Sequence, residues 1–219
     1  MPTKRQKRKY RKIFDIAVIG TGEVGGTLGR LWAAKGHRIS YGSRTPQSRR
    51  VQALVDQTAH NARAMTPREA VSESDLVVLA TPWPVTRASI RACGSFKGKM
   101  ILDCTNPFNE KTEEVELTGP SGAERISRWA KTFRIVKSFN TVGANLFGLP
   151  KFGGQRLTMY SCGDHRTKQV VHTLTKQLGF EVVDCGPLKN ARLLEALCGL
   201  WINLAPKRNW KIAFRLVHE

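Results

Sequence analysis

The chain has 219 residues, enough for one complete hydrophobic core and short for two domains of ordinary size. Hydrophobic residues make up 41% and charged residues 24%, a composition that excludes fibrous and disordered proteins. Its 36 Lys and Arg against 17 Asp and Glu give a net charge of +19, which favours anionic partners: a phosphorylated ligand, nucleic acid or an acidic membrane surface.

Part of this positive charge is concentrated at the N-terminus. Residues 1–12 contain seven Lys and Arg and no acidic residue. We predict that they form a disordered basic tail and that residues 13–219 form one domain. The tail has no aromatic residue except Tyr10, and no nucleic-acid-binding motif follows it, so only weak, nonspecific contact with nucleic acid is expected.

The Cys and His residues form no recognisable metal-binding or disulfide pattern. The cysteines are five in number, widely spaced and without a C-x-x-C pair: Cys93, Cys104, Cys162, Cys185 and Cys198. We therefore expect no metal site and a reducing, cytoplasmic compartment. No apolar run approaches the roughly 20 residues that cross a bilayer. The histidines are predicted to be solvent-exposed: His37, His60, His165, His172 and His218.

Short β-rich segments alternate with helical patterns along the chain. The predicted strands are Ile13–Ile19, Arg38–Ser43, Asp75–Ala80, Met100–Asp103, Arg134–Phe139, Leu157–Cys162 and Glu181–Asp184. The predicted helices are Gly25–Lys35, Pro67–Ser72, Val85–Cys93, Gly122–Lys131, Thr167–Leu178 and Ala191–Leu204, and Asn109–Pro120 is predicted to be a long surface loop. The alternation predicts an α/β, Rossmann-type, doubly wound and mainly parallel sheet with helices on both faces and a C-terminal helical segment.

A glycine-rich motif follows the first predicted strand and opens the first helix. Its residues are Gly20, Thr21, Gly22, Glu23, Val24 and Gly25. In this position the first glycine permits a tight turn, the second lets a pyrophosphate approach the backbone, and the third allows close packing of helix on strand. The helix N-terminus then presents N–H groups to the phosphates, so the motif predicts a dinucleotide site.

The end of the second predicted strand indicates which dinucleotide binds. NAD sites normally have Asp or Glu there, whereas this chain has Ser43 and Arg44, with Arg49 and Arg50 nearby, and no acid before Asp56. Hydroxyl and guanidinium groups suit a 2′-phosphate that a carboxylate would repel. This favours NADP(H), with a solvated basic loop as the alternative interpretation.

Polar turns follow the later strands, where ligands of doubly wound sheets bind. Thr81, Pro82 and Trp83 follow one strand, Asn106 the next, and Asn140, Thr141 and Ala144 the one after. These residues are candidates for the nicotinamide and acceptor side, although Trp83 is equally suited to packing at the edge of the core. No nucleophile or paired-carboxylate motif is visible, and hydride transfer needs none because the cofactor carries the reacting atom.

Taken together, these motifs resemble the NADP oxidoreductase family that depends on coenzyme F420, and more distantly the cytoplasmic domain of the STEAP metalloreductases. The similar segments are IAVIGTGEVGGTLGRLWAAKGH, YGSR, DLVVLATPW, ILDCTNP, KSFNT and VVDCGPLKNARLLEAL. The resemblance implies a Rossmann-type fold, NADPH binding, hydride transfer to a flavin-like coenzyme and a homodimer. By position, Thr21, Ser43 and Arg44 would hold the 2′-phosphate, and Thr81, Pro82, Asn106 and Ala144 would surround the nicotinamide.

The chain departs from the deazaflavin enzymes at one position that bears on the acceptor. Asn140-Thr141 stands where those enzymes have a His-Thr pair, and the Phe-Asn-Thr form is closer to the metalloreductases. Coenzyme F420, FAD or FMN, and a ferric chelate reduced through bound flavin therefore stay open as acceptors. An NADPH-binding sensor without turnover is the alternative of a different class. The leucine stripe of Ala191–Leu204 predicts a core face or a dimer interface. A coenzyme-binding face is the alternative, in which Asn190, Trp201 and Asn203 would reach the rings of the acceptor.

Overall fold

The computed structural model of the protein describes residues 13–58 and 61–217. The predicted basic tail, His60 and His218 lie outside the described residues. A central sheet of eight strands organises the part that is described. In chain order the strands are β1 (Asp15–Ile19), β2 (Arg38–Gly42), β3 (Ala62–Met65), β4 (Leu76–Leu79), β5 (Met100–Asp103), β6 (Ile135–Ser138), β7 (Thr158–Gly163) and β8 (Glu181–Asp184).

The strands lie in the order β8-β7-β6-β5-β4-β1-β2-β3. Every neighbouring pair is parallel except β6 and β7, which run antiparallel. The strand order reverses beside β1, so the carboxyl ends of β1 and β4 border a crevice where ligands of such sheets bind. This confirms the predicted doubly wound, mainly parallel architecture.

Helices cover both faces of the sheet. They are α1 (Glu23–Ala33), α2 (Arg49–Asp56), α3 (Pro67–Ser72), α4 (Trp83–Cys93), α5 (Gly122–Ala130), α6 (His165–Gln177) and α7 (Ala191–Leu204). Leu28 and Trp32 of α1 share one core with Leu174 of α6. The opposite core includes Ile90 of α4 and Ile126 of α5. Because β4 is buried on both faces, its sequence LVVL is a continuous apolar run and not an alternating one.

The helix α2, the strand β3 and a short hairpin of Lys151–Phe152 with Gln155–Arg156 were missing from the prediction, and one predicted loop contains another hairpin. α2 buries only Val51 and Leu54, and β3 is an edge strand without a fully buried residue. Both therefore lack the apolar periodicity on which the prediction depended. The segment predicted as the loop Asn109–Pro120 includes a short hairpin of Phe108–Asn109 with Glu114–Val115.

The prediction of an exposed His37 was wrong. Its side chain is buried, its Nδ1 accepts a hydrogen bond from the Phe14 N–H at 3.1 Å, and its Nε2 lies 2.7 Å from Gln177 Oε1. It precedes the amino end of β2, and ligands bind beyond the carboxyl ends, so its role is to join α6 to the sheet.

His172 is half-buried with its Nε2 2.6 Å from Ser161 Oγ, and burial lowers its pKa.

Across the described residues, no helix is both long enough and apolar enough to cross a bilayer.

Candidate functional site

A cleft of about 1110 Å3 lies along the carboxyl ends of β1, β2, β4 and β5. It brings together most of the residues that the sequence predicted as cofactor-binding. Those lining it are Gly20, Thr21, Gly22, Glu23, Val24, Ser43, Arg44, Thr81, Pro82, Trp83 and Asn106. The cleft is large enough for an extended dinucleotide, since ligand pockets span about 300–1,000 Å3.

The glycine motif forms the turn between β1 and α1. Gly20 has a φ of +106°, and a Cβ on it would overlap the Ala80 carbonyl. A Cβ on Gly25 would likewise overlap the Gly20 carbonyl oxygen, so Gly25 lies buried against the strand and not in the cleft. Both positions therefore require glycine for the fold itself.

Gly22 differs from the other two glycines because it borders open space. A Cβ on Gly22 would meet nothing within 4 Å, and Gly22 is the N-cap of α1 without a side-chain hydrogen bond to the first turn. The first N–H groups of α1 therefore lack a side-chain acceptor, which is the arrangement that binds phosphate at a helix N-terminus. The open cradle fits the pyrophosphate of a dinucleotide.

The carboxyl end of β2 supplies the cationic end of the cleft. Ser43 is half-buried, Arg44 is exposed, and both line the cleft together with Arg50. Arg49, also predicted to bind cofactor, is an exposed residue in the first turn of α2 and does not line the cleft. Arg44 and Arg50 are thus the guanidinium groups that this part of the chain places at the cleft.

A second cavity of about 560 Å3 adjoins the cleft and shares Glu23, Val24, Cys104, Asn106 and Ile202 with it. Its other lining residues include three that the sequence named as candidates, Asn140, Ala144 and Trp201, and one that it did not, Trp210. Asn190 and Asn203 do not line it. The two indole rings lie 5.7 Å apart at 50°. The second cavity therefore has an aromatic wall and lies at the Asn106 end of the cleft.

Two asparagines join the strand ends between the cavities. Asn140 Nδ2 donates to Asn106 Oδ1 at 2.9 Å and to the Leu194 carbonyl at 3.1 Å, and Asn106 Nδ2 donates to the Asn140 carbonyl at 3.2 Å. Phe139, just before Asn140, has a φ of +59°, a strained backbone that turns the chain at the end of β6. Asn140 is therefore tied to β5 and α7 at once.

Two buried polar oxygens near this junction have no hydrogen-bond partner among the described residues: Asn140 Oδ1 and Thr141 Oγ1. Buried polar groups are normally satisfied, so an unpaired acceptor on a residue that lines the second cavity indicates a polar ligand. Thr141 lines neither cavity.

Trp83 lies at the start of α4, half-buried at the wall of the cleft. Its ring is 5.4 Å from Trp129, and the Arg125 guanidinium lies 5.8 Å from its centroid. It therefore has both predicted roles, packing at the edge of the core and lining the site.

The thiols beside the two cavities, Cys104 and Cys198, are unreactive. Burial raises the pKa of Cys104 well above its ordinary value and that of Cys198 to about 12. Both groups are therefore protonated at neutral pH and are poor nucleophiles. The described residues also contain no group of three His, Cys, Asp or Glu side chains suited to hold a metal ion.

The sequence reasoning missed a buried ionic cluster behind the cleft, made of Asp103, Lys137 and Glu195. Lys137 Nζ lies 2.8 Å from Asp103 Oδ2 and 3.1 Å from Glu195 Oε1, and none of the three side chains is more than 1% exposed. The available signals were a lysine inside the apolar strand IVKS and an aspartate ending MILD.

Comparison with known proteins shows that the chain is similar to NADP-dependent reductases. The family model described as NADP oxidoreductase coenzyme F420-dependent matches residues 15–107, from β1 to the turn after β5. The F420-dependent NADP reductase of Methanothermobacter marburgensis is 27% identical over 205 residues, covering 86% of this chain and 91% of the relative.

Two further matches extend over nearly the whole chain. A crystal structure from Arthrobacter sp. FB24, described as a candidate F420-dependent NADP-reductase, has a TM-score of 0.84 at 28% identity and covers 94% of this chain and 100% of that one. Rat metalloreductase STEAP3 is 26% identical over 200 residues. The matched region covers 90% of this chain but only 38% of STEAP3. The resemblance predicted from the motifs is therefore confirmed: the chain is related over most of its length to the coenzyme F420-dependent NADP oxidoreductases, and more distantly to the STEAP metalloreductases.

Proposed function

We propose that this chain is an NADP-dependent oxidoreductase that transfers a hydride between NADP(H) and a flavin-type acceptor, either the deazaflavin coenzyme F420 or FAD/FMN. The main supporting observation is the continuity of the site. One cleft runs from Arg44 past the open cradle at Gly22 to Asn106, and there it adjoins the aromatic second cavity. The relatives named F420-dependent NADP reductase support the same activity.

Each part of the cleft suits one part of NADP(H). The Gly20–Gly25 turn and the α1 N-terminus bind the pyrophosphate, and Ser43 and Arg44, with Thr21, hold the 2′-phosphate. Thr81, Pro82 and Asn106 surround the nicotinamide within the cleft, and Ala144 borders it from the adjoining second cavity. The bound cofactor supplies the hydride, so the chain's own residues bind it, orient it and keep water from the reacting ring.

The second cavity is the proposed place of the acceptor. Its volume of about 560 Å3 and its two indole rings, Trp201 and Trp210, suit a planar ring system that stacks on an aromatic face. Trp201 Nε1 donates to the Ile212 carbonyl at 2.9 Å, and the Trp210 carbonyl accepts from Asn145 Nδ2 at 3.1 Å. These bonds hold the C-terminal segment beside the cavity.

Anaerobic stopped-flow oxidation of NADPH identifies which compound accepts the hydride. The compounds compared are coenzyme F420, FAD, FMN and a ferric chelate, the chelate being tested both with and without FMN. We expect rapid oxidation by at least one flavin-type acceptor.

Replacing Trp210 with Ala is expected to raise the KM for that acceptor about tenfold through lost ring stacking, with little change in the Kd of NADPH. Phe133→Ala, at a residue that is 78% exposed elsewhere, is the matched control.

Each other outcome points to a different function. Tight NADPH binding with no oxidation by any acceptor would contradict the enzymatic proposal and favour an NADPH-binding sensor. Reduction of the ferric chelate only in the presence of flavin would favour the ferric-chelate reductase, to which the metalloreductase relatives also point.

We also propose that the chain forms a homodimer through α7. The predicted leucine stripe divides into two faces: Leu194, Cys198 and Trp201 are buried, whereas Leu193 and Leu200 are 62% and 51% exposed. The exposed pair lies on one side of the helix at i, i+7 spacing, with half-buried Leu197 between them. Exposed apolar stripes of this kind are typical of helix-to-helix interfaces.

Sedimentation equilibrium tests this interface. The wild-type chain is expected to have the mass of a dimer, and a Leu193→Asp, Leu200→Asp double variant that of a monomer, because the charges would be buried against the partner. Leu149→Asp, at a residue that is 58% exposed on another surface, should stay dimeric. A monomeric wild type at all concentrations would contradict the proposal.

We also propose that the protein resides in the cytoplasm. All five cysteines are free thiols, which suits the reducing cytoplasm. Any contact of residues 1–12 with nucleic acid is expected to be nonspecific and to weaken steeply with added salt.

A further inference from the structure

The buried cluster of Asp103, Lys137 and Glu195 joins three separate segments at one point. Lys137 Nζ, on β6, donates to the Thr105 carbonyl at 2.6 Å in addition to its ion pairs with Asp103 and Glu195. Asp103 ends β5 and Glu195 lies on α7. With one positive and two negative groups, the cluster has a formal net charge of −1.

The structure keeps all three charges in place with specific hydrogen bonds. Asp103 Oδ1 accepts from the Thr105 N–H at 2.9 Å and from its hydroxyl at 2.7 Å. The Glu195 carboxylate accepts from the Gly122 and Ala123 N–H groups at 3.1 and 3.2 Å, at the N-terminus of α5. Burial alone would lower the pKa of Lys137, but the two carboxylates outweigh it and hold that pKa above its ordinary value.

Stability alone is a poor explanation for such a cluster. Removing three charged groups from water costs several kcal/mol per ion, and replacing buried ion pairs by apolar residues is often neutral or stabilising. A cluster of charges retained in a core is therefore better explained by what it does to its surroundings. One of these surroundings is the wall of the cleft, at Thr105.

The cluster lies directly behind the end of the cleft that the nicotinamide is proposed to occupy. Thr105, whose three polar groups are all bonded to the cluster, lines the cleft itself. Its chain neighbours Cys104 and Asn106 line both the cleft and the second cavity. Thr105 therefore lies between the cluster and the open cleft, in contact with both.

We propose that the Asp103–Lys137–Glu195 cluster is an electrostatic positioning element that favours the oxidised, positively charged nicotinamide over the neutral reduced one. This inference rests on the proposed function, because it takes the cleft to bind NADP(H). Loss of a hydride leaves the nicotinamide ring with a positive charge, which a nearby buried anion stabilises. In a partly desolvated site, one unit charge several ångströms away changes an equilibrium on the order of tenfold.

The test compares the Kd of NADP+ with that of NADPH, which needs no acceptor and no turnover. Glu195→Gln removes one negative charge and keeps a similar shape. We expect the Kd of NADP+ to rise about tenfold and that of NADPH to change less than about twofold, measured by calorimetric titration of the full chain.

Glu124→Gln is the matched control. Glu124 lies in the first turn of α5, close in sequence to the residues that Glu195 caps, and it is half-buried with its carboxylate in a capping box with Ser121. Glutamine preserves a capping box, so the same change of charge is made where solvent screens it. The ratio of the two Kd values should equal that of the wild type.

Asp103→Asn provides a second measurement, because it removes a negative charge from the other side of Lys137. Thermal melts establish that each variant is folded, and if Glu195→Gln does not fold, Asp103→Asn decides. Unchanged ratios in the folded variants, or parallel weakening of both cofactor forms, would overturn the inference in favour of a structural role. If the wild type bound neither form, the proposed function would fail, and this inference with it.

Discussion

Replacing Arg44 with Asp is expected to weaken NADPH binding about a hundredfold, because a charge-assisted contact becomes a repulsive one. NADH lacks the 2′-phosphate, so its Kd should change by less than about threefold. Arg44 is an exposed residue that follows β2 and lines the cleft, so the substitution leaves the core untouched. Titration of both cofactors against the wild type and the variant gives the two ratios.

Arg49 supplies the control for this experiment. It is also an exposed arginine near the end of β2, but it does not line the cleft. Arg49→Asp changes the net charge equally and should weaken NADPH binding only by the small amount that long-range attraction contributes. Equal losses for NADPH and NADH in Arg44→Asp would rule out the 2′-phosphate assignment.

The second large effect is expected at the glycine turn, where two alanine substitutions should separate folding from binding. Gly25→Ala would place a Cβ against the Gly20 carbonyl oxygen, a backbone atom that cannot move aside without shifting β1. We expect it to lower the free energy of unfolding by more than about 4 kcal/mol, as strong overpacking does. Denaturant unfolding measures this loss.

Gly22→Ala is expected to leave stability nearly unchanged and to weaken the binding of NADPH. Its Cβ would enter open space, and its φ of −82° is accessible to alanine, so the free energy of unfolding should change by less than about 1 kcal/mol. The same methyl group occupies the cradle proposed for the pyrophosphate, so the Kd of NADPH should rise at least about tenfold. A Gly22→Ala variant that binds NADPH normally would show that the phosphates lie elsewhere.

An element of the fold could be predicted from the sequence where its own residues carry a clear apolar pattern. β4 is an unbroken apolar run, β1 is apolar after Asp15, and α7 has a strong helical stripe, so all three elements were predicted close to their observed bounds. α2 and β3 lie at the edge of the sheet and bury few apolar groups, so their sequences have no comparable periodicity. The direction of β7 depends on pairing with β6, which no pattern within β7 records.

The same distinction applies to the site. The glycine turn at Gly20–Gly25 and the cationic group at Arg44 could be recognised in the sequence, because both are carried by a few consecutive residues at a strand end. The packed structure was needed to show that Arg49 lies outside the cleft, that Trp210 lines the second cavity, and that Lys137 is buried between Asp103 and Glu195. These outcomes depend on segments that are distant along the chain, and a contact of that kind arises from how whole elements pack and not from any local run of residues.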